Sequence, residues 1–179
     1  MWAKYVAAAL MVLAVAGSAA AQPNKLQMFR SVQRQVLTYE YFSIFDSVHA
    51  QIRDGVITLT GKVTMPFKRE ELEKRVSKVA GVKKVENRIE VLPASQFDDQ
   101  LRVAIANAIY ANPAFANYAV QVNPPIHIVV ERGHVTLEGV VNNDVDRALA
   151  RSIAGSFAAF SVTNELKTDS EMKAELEKL

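Results

Sequence analysis

The chain has 179 residues, of which 50% are hydrophobic, with 21 Lys+Arg against 19 Asp+Glu and no cysteine. The lack of cysteine excludes disulfide bonds and a lipid-modified N-terminal cysteine, so the fold must be held by its own hydrophobic cores. The balanced total hides an asymmetry, because residues 22–92 hold 13 basic and 8 acidic groups whereas residues 93–167 hold 5 and 7. Such opposite charge suggests that the two halves have different roles or attract each other.

The first 21 residues have the pattern of a secretory signal peptide. Lys4 gives a basic start, residues 6–17 are apolar, and Ala19-Ala20-Ala21 fits a small-residue cleavage site. An apolar run of this length is shorter than the roughly 20 residues that span a bilayer. We therefore predict cleavage after Ala21 and export to a bacterial periplasm, which argues against nucleic acid as a partner.

Apolar periodicity and turn signals predict the order helix-strand-strand-helix-strand for the first half of the exported chain. The predicted elements are a helix over residues 26–37, strands over 48–53 and 57–63 joined at Asp54-Gly55, a helix from Pro66 to Ala80, and a strand over 85–91.

The second half repeats this order. Its predicted elements are a helix over 101–111, strands over 126–130 and 135–141 joined at Arg132-Gly133, a helix over 144–154, a strand over 161–167 and a final helix over 170–179. The repeat is also visible in the residues, because Gly55-Val-Ile-Thr-Leu-Thr-Gly-Lys-Val63 recurs as Gly133-His-Val-Thr-Leu-Glu-Gly-Val-Val141, with five of nine positions identical. A period of this length indicates two tandem copies of one module.

The predicted fold class is α+β, with two tandem two-layer sandwiches in which two helices cover one face of a three-stranded sheet (αββαβ). The predicted domains are a signal peptide over 1–21, modules over 26–92 and 97–168, and a tail helix over 169–179. Six residues are predicted to define the module rather than to bind a ligand. Gly55 and Gly133 are expected in hairpin turns, Gly61 and Gly139 where a helix approaches a strand, and Asn87 and Asn164 in the third strand.

No residue pattern indicates catalysis, a metal site or a cofactor. His49 and His127 occupy the same position in the two copies, but no further ligand lies at metal-binding spacing, and strand alternation predicts solvent-exposed side chains on the open sheet faces. No phosphate loop, zinc-protease motif or nucleophile elbow is present. We therefore expect a binding protein and not an enzyme.

Two segments are candidate binding surfaces. The first is a cluster of cations opposed only by Glu86, formed by Lys74, Arg75, Lys78, Lys83, Lys84 and Arg88. It could hold anionic phospholipid headgroups. The alternative is a solvated helix face on which Glu70, Glu71 and Glu73 neutralise the neighbouring cations.

The second segment, residues 103–130, has no formal charge and contains Tyr110, Phe115 and Tyr118. Exposed rings among small residues suit the interface of a membrane, so these three are predicted as apolar lipid contacts. Packing between the two copies is the alternative. Phe157 and Phe160 are expected in the core.

The repeated hairpin pattern and the strand with Val-x-Asn, at Val85/Asn87 and Val162/Asn164, resemble the BON domain (bacterial OsmY and nodulation) family over roughly residues 26–92 and 97–168. The resemblance implies an exported, non-catalytic envelope protein, similar in layout to the osmotically induced periplasmic protein and to dual-BON outer-membrane lipoproteins. Such proteins bind phospholipid surfaces and preserve the envelope under stress. The present chain departs from the lipoprotein type in lacking cysteine. The glycine that is typical of the second helix in this family is also weakly matched, because Gly81 of the first copy corresponds to Ala158 of the second.

The alternative function is a protein-binding or chaperone-like module. It would act through the open sheet faces, whose outward residues include His49, Thr58, Thr60, His127 and Thr136. The sequence specifies neither the oligomeric state nor the identity of an envelope partner.

Overall fold

The computed structural model describes residues 25–177, so the predicted signal peptide lies outside the described residues. Two modules follow one another, each with the predicted order of elements. The first module contains α1 (Lys25–Leu37), β1 (Ser47–Arg53), β2 (Val56–Val63), α2 (Pro66–Ser77) and β3 (Lys84–Val91). The second contains α3 (Gln96–Tyr110), a 3-10 turn (Pro113–Phe115), α4 (Ala116–Ala119), β4 (Ile126–Glu131), β5 (His134–Val141), α5 (Asp144–Ala154) and β6 (Ser161–Thr168), and α6 (Asp169–Leu176) ends the described chain.

Each module has a three-stranded sheet with its second strand in the centre. β2 pairs with β1 antiparallel through the hairpin and with β3 in parallel through the crossover helix α2, and β5 pairs with β4 and β6 in the same way. Apolar side chains on one sheet face pack against the helices, as at Val32, Leu59 and Leu72 in the first module and Ile105 and Leu137 in the second. The predicted α+β fold of two tandem modules is confirmed.

The glycines of the repeat are required by the backbone. Gly55 and Gly133 have φ of +83° and +76° in the hairpin turns, which confirms the prediction for these two. Gly61 and Gly139 have φ of +116°, and a Cβ at these positions would lie 2.1 Å from the Ser47 carbonyl oxygen and 1.8 Å from that of Pro125. The close approach therefore comes from the chain at the start of the neighbouring strand, and the predicted approach of a helix is wrong.

An asparagine in the third strand ties the crossover helix to the sheet in both modules. The Asn87 side-chain amide donates to the Arg69 carbonyl at 2.8 Å, and Asn164 donates to the Arg147 carbonyl at 2.9 Å. Each asparagine also accepts a hydrogen bond through Oδ1 from the backbone N–H two residues later. The same side chain thus satisfies the same backbone groups in both copies.

The two modules contact each other along the free edge of β4. The loop between α1 and β1 runs beside this edge, and the Ile128 N–H donates to the Ile44 carbonyl at 2.7 Å. Ile44 and Phe45 also pack against the hydrophobic core of the second module. Because an unpaired strand edge invites association with other chains, this loop protects the second sheet while it joins the modules.

The open sheet faces also meet at one end. Ser47 Oγ and His49 Nε2 each donate to Glu138 Oε2 at 2.6 Å, and Lys62 forms an ion pair with Glu131. Val129, on the open face of the second sheet, is only 4% exposed. The two faces that the sequence left available to solvent or a partner are therefore in part covered by each other.

A buried ion pair holds the connecting loop in place. Asp46 is fully buried and accepts hydrogen bonds from Lys68 Nζ at 2.6 Å, the Thr64 N–H at 2.7 Å and the Ser43 N–H at 2.8 Å. Burial by itself raises the pKa of Asp46, but the hydrogen bonds from Lys68 and Thr64 outweigh it, so the pKa lies below its ordinary value. The ionised carboxylate fixes the loop that carries Ile44 and Phe45.

Two helix limits, the end of α2 and the start of α3, differ clearly from the sequence predictions. α2 ends at Ser77 and Ala80 is exposed, because the chain turns away before Gly81, whose φ is +86°. α3 begins at Gln96, five residues earlier than predicted, because Ser95 caps it by accepting from the Asp98 N–H.

The tail helix, α6, begins with a capping box that includes Thr168 and Glu171. It docks on its module through two ion pairs between side chains, Arg147–Glu171 and Lys167–Glu175.

Candidate functional site

The three aromatic residues predicted to contact lipid are in the second module, and the structure removes them from its surface. Phe115 and Tyr118 are 0% and 3% exposed, and Tyr110 is partly buried against the same core. The predicted exposure of these rings is wrong because the inserted segment after α3 folds back as a 3-10 turn and α4. Phe160, expected in the core, is instead 76% exposed, whereas Phe157 packs against the core.

The two tyrosine hydroxyls have structural partners that explain their burial. Tyr110 donates to the Ile126 carbonyl at 2.6 Å, and burial raises its pKa well above the ordinary range. Tyr118 donates to Asp146 and accepts from the Asn142 N–H, and burial together with the Asp146 carboxylate raises its pKa to about 12. Both tyrosines therefore remain protonated and anchor loops of the second module.

The predicted cation cluster is divided between two faces of the first module. Lys74 and Lys78 lie on the outer side of α2, whereas Lys84 and Arg88 lie on the open face of the sheet, where both pair with Glu86 at 3.0 Å. The sequence placed these residues in one patch because they are close along the chain. The sheet lies between the two groups, so they cannot contact one flat surface together.

The Arg75 side chain is engaged in hydrogen bonds within the protein and is not free to bind an anionic partner. Its Nε donates to the Gln35 carbonyl at 2.9 Å and its guanidinium to Thr38 Oγ1 at 3.0 Å, while it also lies 5.5 Å from the centre of the Tyr39 ring. These contacts tie α2 to the end of α1. The side chain therefore serves the packing of the two helices.

The neutralisation of the cluster by glutamate is partial. Lys74 pairs with Glu71 at 2.8 Å, but Glu73 accepts from Asn87 instead of a cation. Among the described residues, Lys78 and Lys83 form no ion pair with a carboxylate. These two lysines are the members of the predicted cluster that remain available to an anionic partner.

The fold adds cations that sequence analysis did not associate with the cluster. α1 carries Lys25, Arg30 and Arg34 and contains no acidic residue, and it packs beside α2 over the same sheet face. Arg30 and Arg34 are exposed and lie away from the buried stripe of Met28, Val32 and Val36. α1 therefore adds exposed cations to the helical layer of the first module, in which α2 carries both cations and the glutamates Glu70, Glu71 and Glu73. The helical spacing of Arg30 and Arg34 was a signal in the sequence, whereas the packing of α1 beside α2 was not.

An apolar cluster that the sequence did not indicate lies at the start of α2. Tyr41 and Phe67 are 55% and 46% exposed, and their rings meet edge to face with centroids 5.7 Å apart. Met65, just before α2, is also exposed. Phe67 is seven residues before Lys74 and eleven before Lys78, so all three lie on one side of the helix. An exposed aromatic pair and a line of cations thus share the outer side of α2.

The predicted solvent exposure of the paired histidines holds for His49, which is exposed, and is wrong for His127, which is largely buried. His127 Nδ1 donates to the Asp46 carbonyl at 2.6 Å and its ring packs on Phe42, so burial lowers its pKa and keeps it neutral. His49 is bonded to Glu138, and that hydrogen bond raises its pKa. Both histidines join the modules to each other. Among the described residues no group of three His, Asp or Glu side chains is arranged to hold a metal ion.

Over residues 25–177, no helix is both long and apolar enough to cross a bilayer.

Comparison with known proteins bears on the repeat directly. The family model described as BON domain matches residues 30–93 and again residues 97–170. The family in general binds membranes or phospholipids and is not catalytic. No curated protein matches the chain well enough to count as a relative.

Among solved structures, two of CdsD, a structural protein of the type III secretion system of Chlamydia trachomatis, are similar to the chain. One is 14% identical with a TM-score of 0.30, covering 84% of this chain and 97% of the other. The second, its C-terminal domain, is 13% identical with a TM-score of 0.30, covering 80% and 98%. These values carry no argument about function. The two matches to the family model cover most of the chain, and the protein therefore belongs to the BON domain family, of which it contains two tandem copies.

Proposed function

We propose that the protein is a non-catalytic periplasmic protein that binds anionic phospholipid surfaces peripherally, through the helical layer of its first module, and supports the cell envelope under osmotic stress. The observation that carries this proposal is the set of exposed cations on that layer that have no carboxylate partner among the described residues. The outward residues Arg30, Arg34 and Lys78 are exposed, and none of them forms an ion pair with a described residue. An anionic membrane attracts such cations before and during contact.

The exposed cations of the helical layer occur in the first module and are not matched in number in the second. The helices of the second module carry acidic residues in their first turns, Asp98 and Asp99 in α3 and Asp144 and Asp146 in α5. α1 carries none. The two copies have the same fold, so the fold itself does not require a basic helical layer. The first module is therefore the copy suited to an anionic surface.

The exposed rings of Tyr41 and Phe67 supply the apolar part of the proposed contact. They take the role that sequence analysis gave to Tyr110, Phe115 and Tyr118, whose side chains instead pack in or against the core of the second module. Phe67 lies at the end of α2 opposite to Lys78, so a helix lying along the membrane would place an aromatic ring at one end and cations at the other. Rings at the headgroup level add a contribution that salt does not screen.

Sedimentation with vesicles tests the proposal. The processed chain, with its first residue established by mass spectrometry, is mixed with anionic or zwitterionic vesicles at low and physiological salt. We expect sedimentation with the anionic vesicles and weakening by salt, because the Debye length falls to about 8 Å at physiological ionic strength. Equal sedimentation with both lipids, or none with either, would contradict the proposal.

A pair of charge-matched variants locates the contact. Arg34→Glu/Lys78→Glu should weaken binding to anionic vesicles at least about tenfold, because it reverses two unpaired cations of the proposed surface. Arg151→Glu/Lys173→Glu changes the net charge equally, at exposed and unpaired cations of the second module. This control should reduce binding less than about threefold, and equal losses in the two variants would exclude a local surface.

Export and the alternative function require separate measurements. N-terminal sequencing that begins at Gln22 in a periplasmic extract supports the proposed localisation, and an unprocessed N-terminus contradicts it. Loss of envelope integrity in a deletion strain under osmotic shock tests the stress role. If the protein does not bind vesicles, the alternative is a protein partner on the open sheet faces, where Thr58 and Thr60 are half-buried.

A further inference from the structure

The hairpin turns of the two modules have the same backbone but different surroundings. In the second module, the turn N–H groups of Arg132 and Gly133 both donate to the carboxylate of Asp98, each at 2.8 Å. Asp98 is 1% exposed and projects from the first turn of α3. Two adjacent N–H groups that converge on one carboxylate form an anion-binding nest, in this copy filled by the protein itself.

The first module has the same turn without this carboxylate. Asp54 and Gly55 have φ of +53° and +83°, against +50° and +76° for Arg132 and Gly133. No described residue accepts a hydrogen bond from the N–H groups of Asp54 or Gly55. The nest is therefore formed in both modules, and in the first one it has no acceptor within the described part of the chain.

The residue that replaces the carboxylate is a lysine. In α3, Asp98 precedes the buried residue Leu101 by three positions, and in α1 Lys25 precedes the buried residue Met28 by the same number. The two helices correspond turn by turn, because Val32 and Val36 repeat the buried positions of Ile105 and Ile109. The substitution thus exchanges a negative charge for a positive one at the same place beside the turn.

Further cations surround the open nest. Lys25, Arg53 and Lys83 line a surface cavity of about 540 Å³ together with Asp54, Gly55 and Gly81. None of the three cations forms an ion pair with a described residue, and Asp54 is the single carboxylate among the lining residues. Two backbone donors and three cations against one carboxylate favour an oxyanion.

We propose that this cavity is an anion-binding site in which the N–H groups of Asp54 and Gly55, assisted by Lys25, Arg53 and Lys83, bind a phosphate group. If the protein binds membranes as proposed, the phosphate is that of a phospholipid headgroup. Only this identification of the ligand rests on the proposed function. Free inorganic phosphate offers the same oxygens and is the probe that isolates the site from the membrane. The second module cannot bind phosphate in this way, because Asp98 fills its nest.

Nuclear magnetic resonance of the processed chain, titrated with inorganic phosphate, tests the site. The amide signals of Asp54 and Gly55 should shift in a saturable way, whereas those of Arg132 and Gly133 in the same sample should not. Lys25→Asp places a carboxylate where the second module has one, and it should weaken phosphate binding at least about tenfold, since it removes a cation and fills the nest. Arg30→Asp makes the same change of charge on the same helix and should weaken binding less than about threefold.

A second variant tests the site without loss of a cation. Asp54→Asn removes the single carboxylate of the cavity and should strengthen phosphate binding about threefold. The proposal is overturned if the amides of Asp54 and Gly55 do not respond, or if Lys25→Asp and Arg30→Asp act equally.

Vesicle sedimentation of Lys25→Asp separates this site from the membrane function. Loss of both phosphate and vesicle binding assigns the site to a lipid headgroup. Retained vesicle binding with lost phosphate binding leaves the membrane function intact and assigns the site to free phosphate or a phosphate monoester. A wild-type chain that binds phosphate and no vesicles would refute the membrane function alone.

Discussion

The two modules share three features of the backbone and differ in the side chains around the hairpin turn. Both have a hairpin with two residues of positive φ, a glycine at +116° and an asparagine that bonds to the crossover helix. The turn of the second module is closed by Asp98, whereas that of the first is open and surrounded by cations. The comparison teaches that the turn conformation, the close-approach glycine and the asparagine contact are shared by both copies, while the charged residues beside the turn differ.

The largest expected effect concerns the glycine that the backbone requires in each copy. Gly61→Ala and Gly139→Ala should each destabilise the protein by about 3–5 kcal/mol, because the new Cβ would meet a carbonyl oxygen at 2.1 or 1.8 Å in a backbone conformation unfavourable to alanine. Urea unfolding followed by circular dichroism measures the loss. Gly155→Ala is the control, since Gly155 has a negative φ and its added Cβ would lie 3.3 Å from the nearest atom. If Gly61→Ala lowered the free energy of unfolding by less than about 1 kcal/mol, the two glycines would not have equivalent roles in the two copies.

The next largest expected effect is the loss of stability when Asp98, which fills the nest of the second module, is removed. Asp98→Ala leaves the N–H groups of Arg132 and Gly133 without their acceptor and should cost about 1–3 kcal/mol. The variant also makes the second turn resemble the first, so added phosphate should now shift the amides of Arg132 and Gly133. Unchanged stability together with no phosphate response would show that the two nests are not equivalent.

The asparagine tether should contribute similarly in both modules. Asn87→Ala and Asn164→Ala each remove a hydrogen bond to a helix carbonyl and one from a strand N–H, for an expected loss of about 1–2 kcal/mol. Amide hydrogen exchange in α2 and in α5 measures the loss separately in each module. Faster exchange in both helices of either single variant would mean that the modules unfold as one unit.

The smallest effect concerns the contact between the modules and its dependence on pH. The hydrogen bond to Glu138 raises the pKa of His49, so its contribution is complete below the unfolded pKa near 6.5 and is lost as pH rises through the folded value. Burial works against ionisation of Glu138, but hydrogen bonds from His49 and Ser47 lower its pKa, so its contribution is lost only as pH falls through that lowered value. The pair is therefore strongest in mildly acidic solution.

Because the His49 side chain is 60% exposed, solvent screens the pair and its contribution should stay below about 1 kcal/mol. A proton titration of the His49 ring measures the pKa directly, and Glu138→Gln should return it toward its ordinary value. A His49 pKa that does not change in Glu138→Gln would show that the sheet faces do not meet in solution. His134, which bonds to Ser161 and not to Glu138, is the internal control.

Much of the fold was predictable because its signals are local. The hairpins at Asp54-Gly55 and Arg132-Gly133 follow from residues that accept positive φ, and α5 over Asp144–Ala154 has the predicted limits because an apolar stripe and the Asn143 cap coincide. The start of α3 was missed because its first turn contains no buried apolar residue, so that Ser95 as N-cap was a better signal than the apolar period.

The candidate site was less predictable because exposure depends on distant residues. Tyr110, Phe115 and Tyr118 lie in an uncharged stretch that suits a membrane interface and a core equally well, and only the folding back of α4 places them inside. Arg34 and Lys78 are more than forty residues apart in the chain and share a surface only because α1 packs beside α2. The burial of Asp46 with Lys68 left no pattern in the sequence that period or spacing could reveal.

The sequence by itself determined that this protein has two copies of one αββαβ module and belongs to a family without a catalytic centre, because turn residues, apolar periods and repeated motifs act over a few residues. Only the tertiary structure decided that the open sheet faces cover each other in part, which aromatic rings remain exposed, and that one of two identical turns lacks its carboxylate. These features depend on contacts between residues far apart in the chain. Their free energy comes from burial and charge pairing that no local pattern encodes.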